Sequence, residues 1–279
     1  MSGAAEIVTT VTKRRIAELL AHNQRLDGRE LLDYRKMTVE VGTIDKASGS
    51  ALVNLGRTKV LTGIKIETGA PYPDTPESGV LVVNVELVPL ASPTFEPGPP
   101  REDAIELARV VDRGLRESKA LDLAKLCITP GKNVFVVFVD IYVLDHDGNL
   151  FDASALASIA ALMNTTMKAY TVSKSGTVKF KDKDIALPLQ HYPVEVTVGK
   201  IQGKLLVDPS LDEEGVLDAQ ITIAVDQNGD VCAVQKRGTG TFTHDEVLKA
   251  VDIVQGKAAE IRTNVLGALI SESKKAKTG

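Results

Sequence analysis

The stretch YVLDHDGNLFDASALASIAALM, residues 142–163, sets a strand against a helix with almost no chain between them. The run NVFVVFVDIYVLD ends at Asp145 and reads as a buried strand, and His146-Asp147-Gly148-Asn149 reads as a turn. A small-residue helix begins near Asp152 and is expected to continue to about Lys168. A helix N-terminus reached this abruptly offers unpaired N–H groups and a partial positive charge, the layout of a phosphate cradle. The residues that would face the anion are Leu150, Phe151 and Asp152. Two of these side chains cannot donate a hydrogen bond and the third is an acid, so the layout and its chemistry disagree.

Around that unit the core must be aliphatic, because aromatic residues make up only 4% of the 279 and Trp is absent. With 43% apolar and 25% charged residues, the chain has the profile of a soluble globular protein, long enough for one large domain or two modest ones. A formal net charge of −4 excludes a globally basic nucleic-acid binder and refers the question to local patches. Cys127 and Cys232 lie far apart beside apolar residues, which predicts free thiols in a reducing compartment. His22, His146, His191 and His244 show no ligand-like spacing, so no imidazole metal site is expected. Lys13, Arg14, Arg15 and Glu18 interrupt the apolar stripe of the first twenty residues, which makes it too polar for a membrane span or a signal segment. It is expected as an amphipathic helix docked on a cytoplasmic protein.

The chain divides by composition into an N-terminal helical extension (1–30), a first half (31–170), a Lys-rich, weakly patterned linker (171–190), a second half (191–272) and a solvated, disordered tail (273–279). In the first half, SALVNLGRTKVLTGIKIE predicts two strands around a turn at LGRT, and GVLVVNVELVPLA predicts a third. The Pro-rich ASPTFEPGPP leads into a helix over about Pro100–Ser118, with Glu102 and Asp103 at the positive end of its dipole. The second half predicts strands near Val194–Val198, Lys204–Val207 and Gln220–Val225, and DQNGD as a hairpin turn leading to Val231. Thr243-His244-Asp245-Glu246 predicts a capping box opening a long final helix. Helices and strands mix in both halves, so the class is α/β or α+β.

Two segments carry charge in a pattern. At 100° per residue, Arg109, Arg113 and Arg116 fall within roughly 60° on one face of the first-half helix, opposite Ala104, Leu107, Ala108, Val111 and Leu115; Ile105 lies near the arginines. Glu106–Arg109 and Asp112–Arg116 pairs would make this a solvated face. The like-charged Arg109 and Arg113, four apart, instead suit an anion between them, either phosphates or a partner's carboxylates. The second segment, VDPSLDEEGVLDAQ, holds Asp208, Asp212, Glu213, Glu214 and Asp218: a solvated loop, or ligands for Mg²⁺ in a metal-dependent hydrolase.

RLDGRELLDYR, GSALVNLGRTKVL, PGPPREDAIELARVVDRGLRESKALDL, DGNLFDASALASIAAL and LLVDPSLDEEGVLDAQ together resemble the RNase PH family of phosphate-dependent 3′→5′ exoribonucleases, over nearly the whole chain. Within it the chain is most similar to the non-catalytic RNase PH-like subunits of the archaeal exosome ring. The resemblance implies a two-layer RNase PH fold with a left-handed βαβ crossover in the first half, where the general rule gives a right-handed one.

Active members read Asp-Gly-Gly-Ser/Thr-Arg at the strand-to-helix turn, where the hydroxyl, the guanidinium and backbone N–H groups hold the attacking phosphate. Here Asp147, Gly148, Asn149, Leu150 and Phe151 stand at those positions, and Asp152 is expected at the N-cap, satisfying the N–H groups an anion needs. Of the family's two acids six residues apart, which serve Mg²⁺ and proton transfer, the first aligns with Glu214 and the second with Gln220; Asp218 is about 7 Å along the chain from the latter.

In this subunit class, arginines on the helix bind RNA phosphates across a heterodimer interface. Arg109 and Arg113 match that pattern, Arg116 follows on the same face, and Arg101 has no assigned role. The resemblance therefore implies a catalytically silent subunit paired with a catalytic RNase PH-like partner. Three such heterodimers form a six-membered ring that carries RNA-binding cap subunits and threads single-stranded RNA. The resemblance further implies that Mg²⁺ and inorganic phosphate serve the partner's active site and that no cofactor binds this chain. The competing readings are an active phosphorolytic enzyme and the metal-dependent hydrolase.

Overall fold

A computed structural model describes residues 3–172 and 178–278. The long aliphatic run forms strand β6 (Asn133–Asp145), in which Phe135, Val137, Val139, Ile141 and Val143 are buried and Asp140 and Tyr142 point the other way. That period of two gives the first sheet one packed face. Strands β1 (Met37–Val41), β2 (Gly49–Leu55) and β3 (Thr58–Gly69) run antiparallel to one another, with the predicted LGRT turn between β2 and β3. β6 follows β3 antiparallel, and β4 (Val80–Leu87) closes the edge parallel to β6. Helix α2 (Glu102–Glu117) lies between β4 and β6 in the chain and makes their parallel crossover; short β5 (Cys127–Thr129) pairs with the start of β6.

Helix α3 (Leu150–Met163) is buried at every position from Phe151 to Met163. Its small side chains let it pack against β2 and β3 on one side and against β9 (Val194–Ile201) on the other. A helix apolar all round is stable only inside a core. β9 belongs to a second, antiparallel sheet in the order β10-β9-β11-β12, with β10 (Lys204–Val207), β11 (Ala219–Val225) and β12 (Val231–Arg237). Between β10 and β11, the single turn α4 (Leu211–Glu214) is closed by a Ser210/Glu213 capping box. Helix α5 (His244–Asn264) covers β9 and β11, starting at the predicted Thr243/Glu246 capping box. The mixed α+β class is as the sequence predicts. One apolar cluster runs from Ala51 of β2 through α3 to Ile223 of β11, so the halves share a core.

Three elements depart from the expected boundaries. The helix does not reach Lys168: it ends at Met163, capped by Asn164, and Thr166–Val172 is strand β7. The expected linker 171–190 is mostly strand, because β8 (Val178–Ala186) pairs antiparallel with β7; residues 173–177 lie outside the described residues. Both faces of β8 are largely exposed, so charged residues occupy both and no apolar alternation marks it as a strand. The expected tail at 273–279 lies mainly within a last helix, α6 (Gly267–Thr278), where Ser273 is buried. At the other end α1 (Gly3–Ala21) docks Ile16 and Leu20 on Ile201, Leu206 and Val216 of the second half.

Candidate functional site

The turn between β6 and α3 is locked to the second half of the chain. Gly148 has φ +87°, and a Cβ there would fall 2.5 Å from the Leu211 backbone nitrogen, so both backbone angle and close approach require glycine. The Leu211 N–H donates to Asp147 O (3.1 Å), and Thr58 Oγ1 donates to Gly148 O (2.7 Å) while accepting the Asp147 N–H (3.1 Å).

Asn149, in the left-handed region at φ 55°, is the N-cap of α3 in place of the expected Asp152. Its N–H donates to Glu214 Oε1 at 2.7 Å, so a carboxylate of the same chain sits at the helix N-terminus. Burial pushes the Glu214 carboxyl up to about 7, although the Asn149 N–H and the charges of Arg237 and Arg35 oppose the rise. Leu150 packs half-buried against the core, and Phe151 is buried within it.

Asp152 lies one turn further in and faces away from the helix N–H groups. Its carboxylate accepts the Tyr34 hydroxyl (2.6 Å), Asn149 Nδ2 (2.8 Å), and the N–H (3.1 Å) and Oγ1 (2.7 Å) of Thr197. Desolvation lifts it to about 6 against those donors. An acid beside a turn suits an N-cap, but the turn ends three residues earlier at Asn149, and Thr197 of β9 claims the carboxylate.

The acidic segment is drawn apart by arginines. Buried Asp208, at φ 49°, accepts Arg35 Nε (2.9 Å) and Nη2 (2.7 Å), Arg29 Nη1 (2.8 Å) and Asn149 Nδ2 (2.9 Å). Burial raises this carboxyl, but the Arg35 hydrogen bonds and charge outweigh it and hold the group below the usual range. Glu213 pairs with buried Arg25, whose Nε lies 2.8 Å from Oε1 and whose Nη1 and Nη2 also donate to Val207 O (2.9 Å) and Asp208 O (2.8 Å). Asp218 accepts the Gln202 N–H at 2.6 Å. Gln220 is buried in β11, opposite Gly199 and Arg237. Among the described residues, no three His, Cys, Asp or Glu side chains converge so as to hold a metal ion.

Arg25, Arg29, Tyr34 and Arg35 are the site residues that sequence reasoning missed. A detectable signal was present: RLDGRELLDYR holds three arginines without helical or strand periodicity and has a similarly dense acidic counterpart at Asp208–Asp218. Pairing of the two segments across about 180 residues is a tertiary event.

The arginine face forms as predicted, with Ala104, Leu107, Val111 and Leu115 buried and Ala108 half-buried, but its members differ. Arg109 is exposed and has no ion pair or hydrogen bond among the described residues. It borders a groove of about 420 Å³ lined by α2, β4 and β6. Half-buried Arg113 reaches Gln235 Oε1 (3.3 Å) and Val234 O (3.5 Å) of β12. Arg116 is engaged by Asp112 (2.6 and 3.1 Å), the pair expected, and by Leu81 O (3.0 Å). Glu106 does not bind Arg109; it bonds Arg237 (3.2 Å) and Gln235 (3.3 Å), because β12 lies closer on that side. Arg101 pairs with Glu96.

The two sheets packed on α3 are those of the RNase PH fold. The chain belongs to the RNase PH 3′ exoribonuclease family, whose domain 1 matches residues 33–168 and domain 2 residues 191–255. It is 54% identical over 268 residues to the exosome complex component Rrp42 of Thermococcus onnurineus, covering 96% of this chain and 98% of that one. With the exosome complex component Rrp42 of Pyrococcus abyssi the identity is 55% over 265 residues, covering 95% and 97%. Among solved structures, a chain of the Archaeoglobus fulgidus exosome with RNA bound to the active site superposes with a TM-score of 0.85 at 48% identity, covering 92% of this chain and 98% of that one. A chain of an archaeal exosome core gives 0.82 at 43%, covering 93% and 98%.

Proposed function

We propose that this chain is a non-catalytic subunit of an archaeal exosome, pairing with a catalytic RNase PH-like subunit and supplying arginines to the RNA path. The observation that carries the silent role is the Glu214 carboxylate on the Asn149 N–H at 2.7 Å. In the active family pattern, attacking phosphate binds at this helix N-terminus. Here a carboxylate from the chain itself takes the N–H, and the positions of the hydroxyl and guanidinium are Leu150 and Phe151, packed on or in the core. Gln220, a neutral amide, supplies neither a base nor a countercharge for Mg²⁺.

The arginine face supports the RNA role, since Arg109, unpaired among the described residues, and loosely held Arg113 keep donors for phosphate that Arg116 gives to Asp112 and Leu81. In this reading three heterodimers form a ring carrying RNA-binding cap subunits. Mg²⁺ and inorganic phosphate act at the partner's site, where RNA(n) and phosphate give RNA(n−1) and a nucleoside diphosphate. The test is phosphorolysis of single-stranded RNA with Mg²⁺ and phosphate, by this chain alone and mixed with its catalytic homologue. The expected result is no diphosphate release alone and more in the mixture than from the homologue by itself. Robust release by the lone chain would establish the active-enzyme reading instead.

A further inference from the structure

Beneath the arginine face lies a carboxyl group to which the reading above gives no part. Glu195, on β9, is 4% exposed, and its Oε2 is buried without a hydrogen-bond partner among the described residues. Leaving a buried polar atom unmatched is costly, so its retention calls for a reason. The carboxyl lies directly under α2: a Cβ at Gly114 would fall 2.0 Å from Glu195 Oε1, and glycine there keeps the space open. Val110, Arg113, Thr222, Val234 and Gln235 enclose with it a cavity of about 10 Å³.

Arg113 borders the same cavity. Its guanidinium is held by two long contacts to β12, at 3.3 and 3.5 Å, against 2.6 Å for the Arg116–Asp112 bond. A loosely tethered guanidinium and a buried acid with a spare acceptor oxygen thus face one small space. Burial pushes the Glu195 carboxyl well above the usual range; neighbouring Asp152 adds to the rise and Arg113 opposes it. Those two, from α3 and α2, are the charged groups that bias it among the described residues, while β11 and β12 contribute neutral Thr222 and Gln235.

Resting on the RNA role of the α2 arginines, we propose that Glu195 is a positioning residue for Arg113: its carboxyl is the alternative partner of the guanidinium and competes for it with RNA phosphate. Protonated, Glu195 leaves the charge of Arg113 to the RNA. Ionised, it forms the stronger charge-assisted bond and draws the guanidinium inward. RNA binding therefore weakens as pH rises through the Glu195 transition.

The test uses the full chain assembled with its catalytic partner and a fluorescein-labelled oligouridylate, with anisotropy read at fixed salt across a pH series from mildly acidic to alkaline. The expected Kd rises on the order of tenfold across that range. In Glu195→Gln it stays near its low-pH value, and in Arg113→Gln it is higher throughout and flat. A Glu195→Gln variant that keeps the wild-type slope overturns the proposal, as does a wild type without one. A slope that survives in Arg113→Gln overturns it even if Glu195→Gln fails to assemble. Flattening by Asp152→Asn but not by Glu195→Gln assigns the transition to Asp152 and also overturns it. If Arg109→Glu with Arg113→Glu leaves binding at the acidic end of that series unchanged, the arginine face itself has failed, which is a separate result.

Discussion

Four carboxyl groups near the α3 turn show how one region can hold acids in opposite states. Asp208 accepts several charge-assisted bonds from arginines and stays ionised; Glu214 accepts one backbone N–H in a dry setting and is pushed up to about 7. The raised groups favour folding when protonated. For Glu214 the contribution is complete below its unfolded value near 4.5 and is lost as pH rises to about 7; Asp152, at about 6, acts in the same sense. Asp208 acts oppositely and loses its contribution as pH falls. Glu214→Gln should therefore lose less unfolding free energy than wild type between about pH 4.5 and pH 8, by about 3 kcal/mol, in urea denaturation at each pH. Superimposable pH profiles would refute that assignment. At the fourth acid, Arg25→Ala strands Glu213 in a buried site and should cost about 3–5 kcal/mol, read as a lowered denaturant midpoint. A change within experimental error would mean that the pair contributes no net stability.

At the scale of elements, α2 and α3 are buried in contrasting ways. α2 commits one face to the core and leaves its arginines outside, so substitution there should spare the fold. Arg109→Glu with Arg113→Glu is expected to reduce RNA affinity or turnover of the assembled complex by at least tenfold with unchanged circular dichroism. Arg116→Gln should do less to RNA binding, since that guanidinium is already held by Asp112 and Leu81. Equal losses from both changes would show that the internal bonds of Arg116 do not compete with RNA. α2, the β2–β3 and β11–β12 hairpins and the capping box of α5 were legible in the sequence because each has its own period or turn residues. The β7–β8 hairpin was not, since exposed strands with charges on both faces carry no apolar alternation. The end of α3 at Met163 is not marked in the sequence, because no Gly or Pro follows and Met167 and Ala169 continue the apolar residues beyond Asn164.

Over the whole molecule, the net charge of −4 means that any RNA binding is local, through a few guanidiniums set against an acidic background. Affinity of the assembly for single-stranded RNA should fall with salt. Each lost phosphate contact removes roughly 0.7 from the slope of log K against log salt, so the Arg109/Arg113 double variant should be shallower by about 1.4. An unchanged slope would place the phosphate contacts elsewhere. The molecule holds its halves together through α3, which touches both sheets, and through α1, which anchors Ile16 and Leu20 on the second half. The cradle is built at that junction, and Gly148 meets Leu211 where the two halves close.

The sequence by itself determined the elements with strong periodicity, the family, the shared face of the α2 arginines and the loss of donors at Leu150 and Phe151. These follow from residue type and local spacing, which are properties of a short stretch of chain. Only the tertiary structure decided which charges remain free. Glu214 at the α3 N-terminus, Asp152 turned toward Thr197, Asp208 clasped by Arg29 and Arg35, and Glu195 beneath Arg113 are all pairings of residues at least 45 positions apart. Their outcome depends on desolvation and on which donors the fold brings within hydrogen-bond reach, and neither is a function of local sequence.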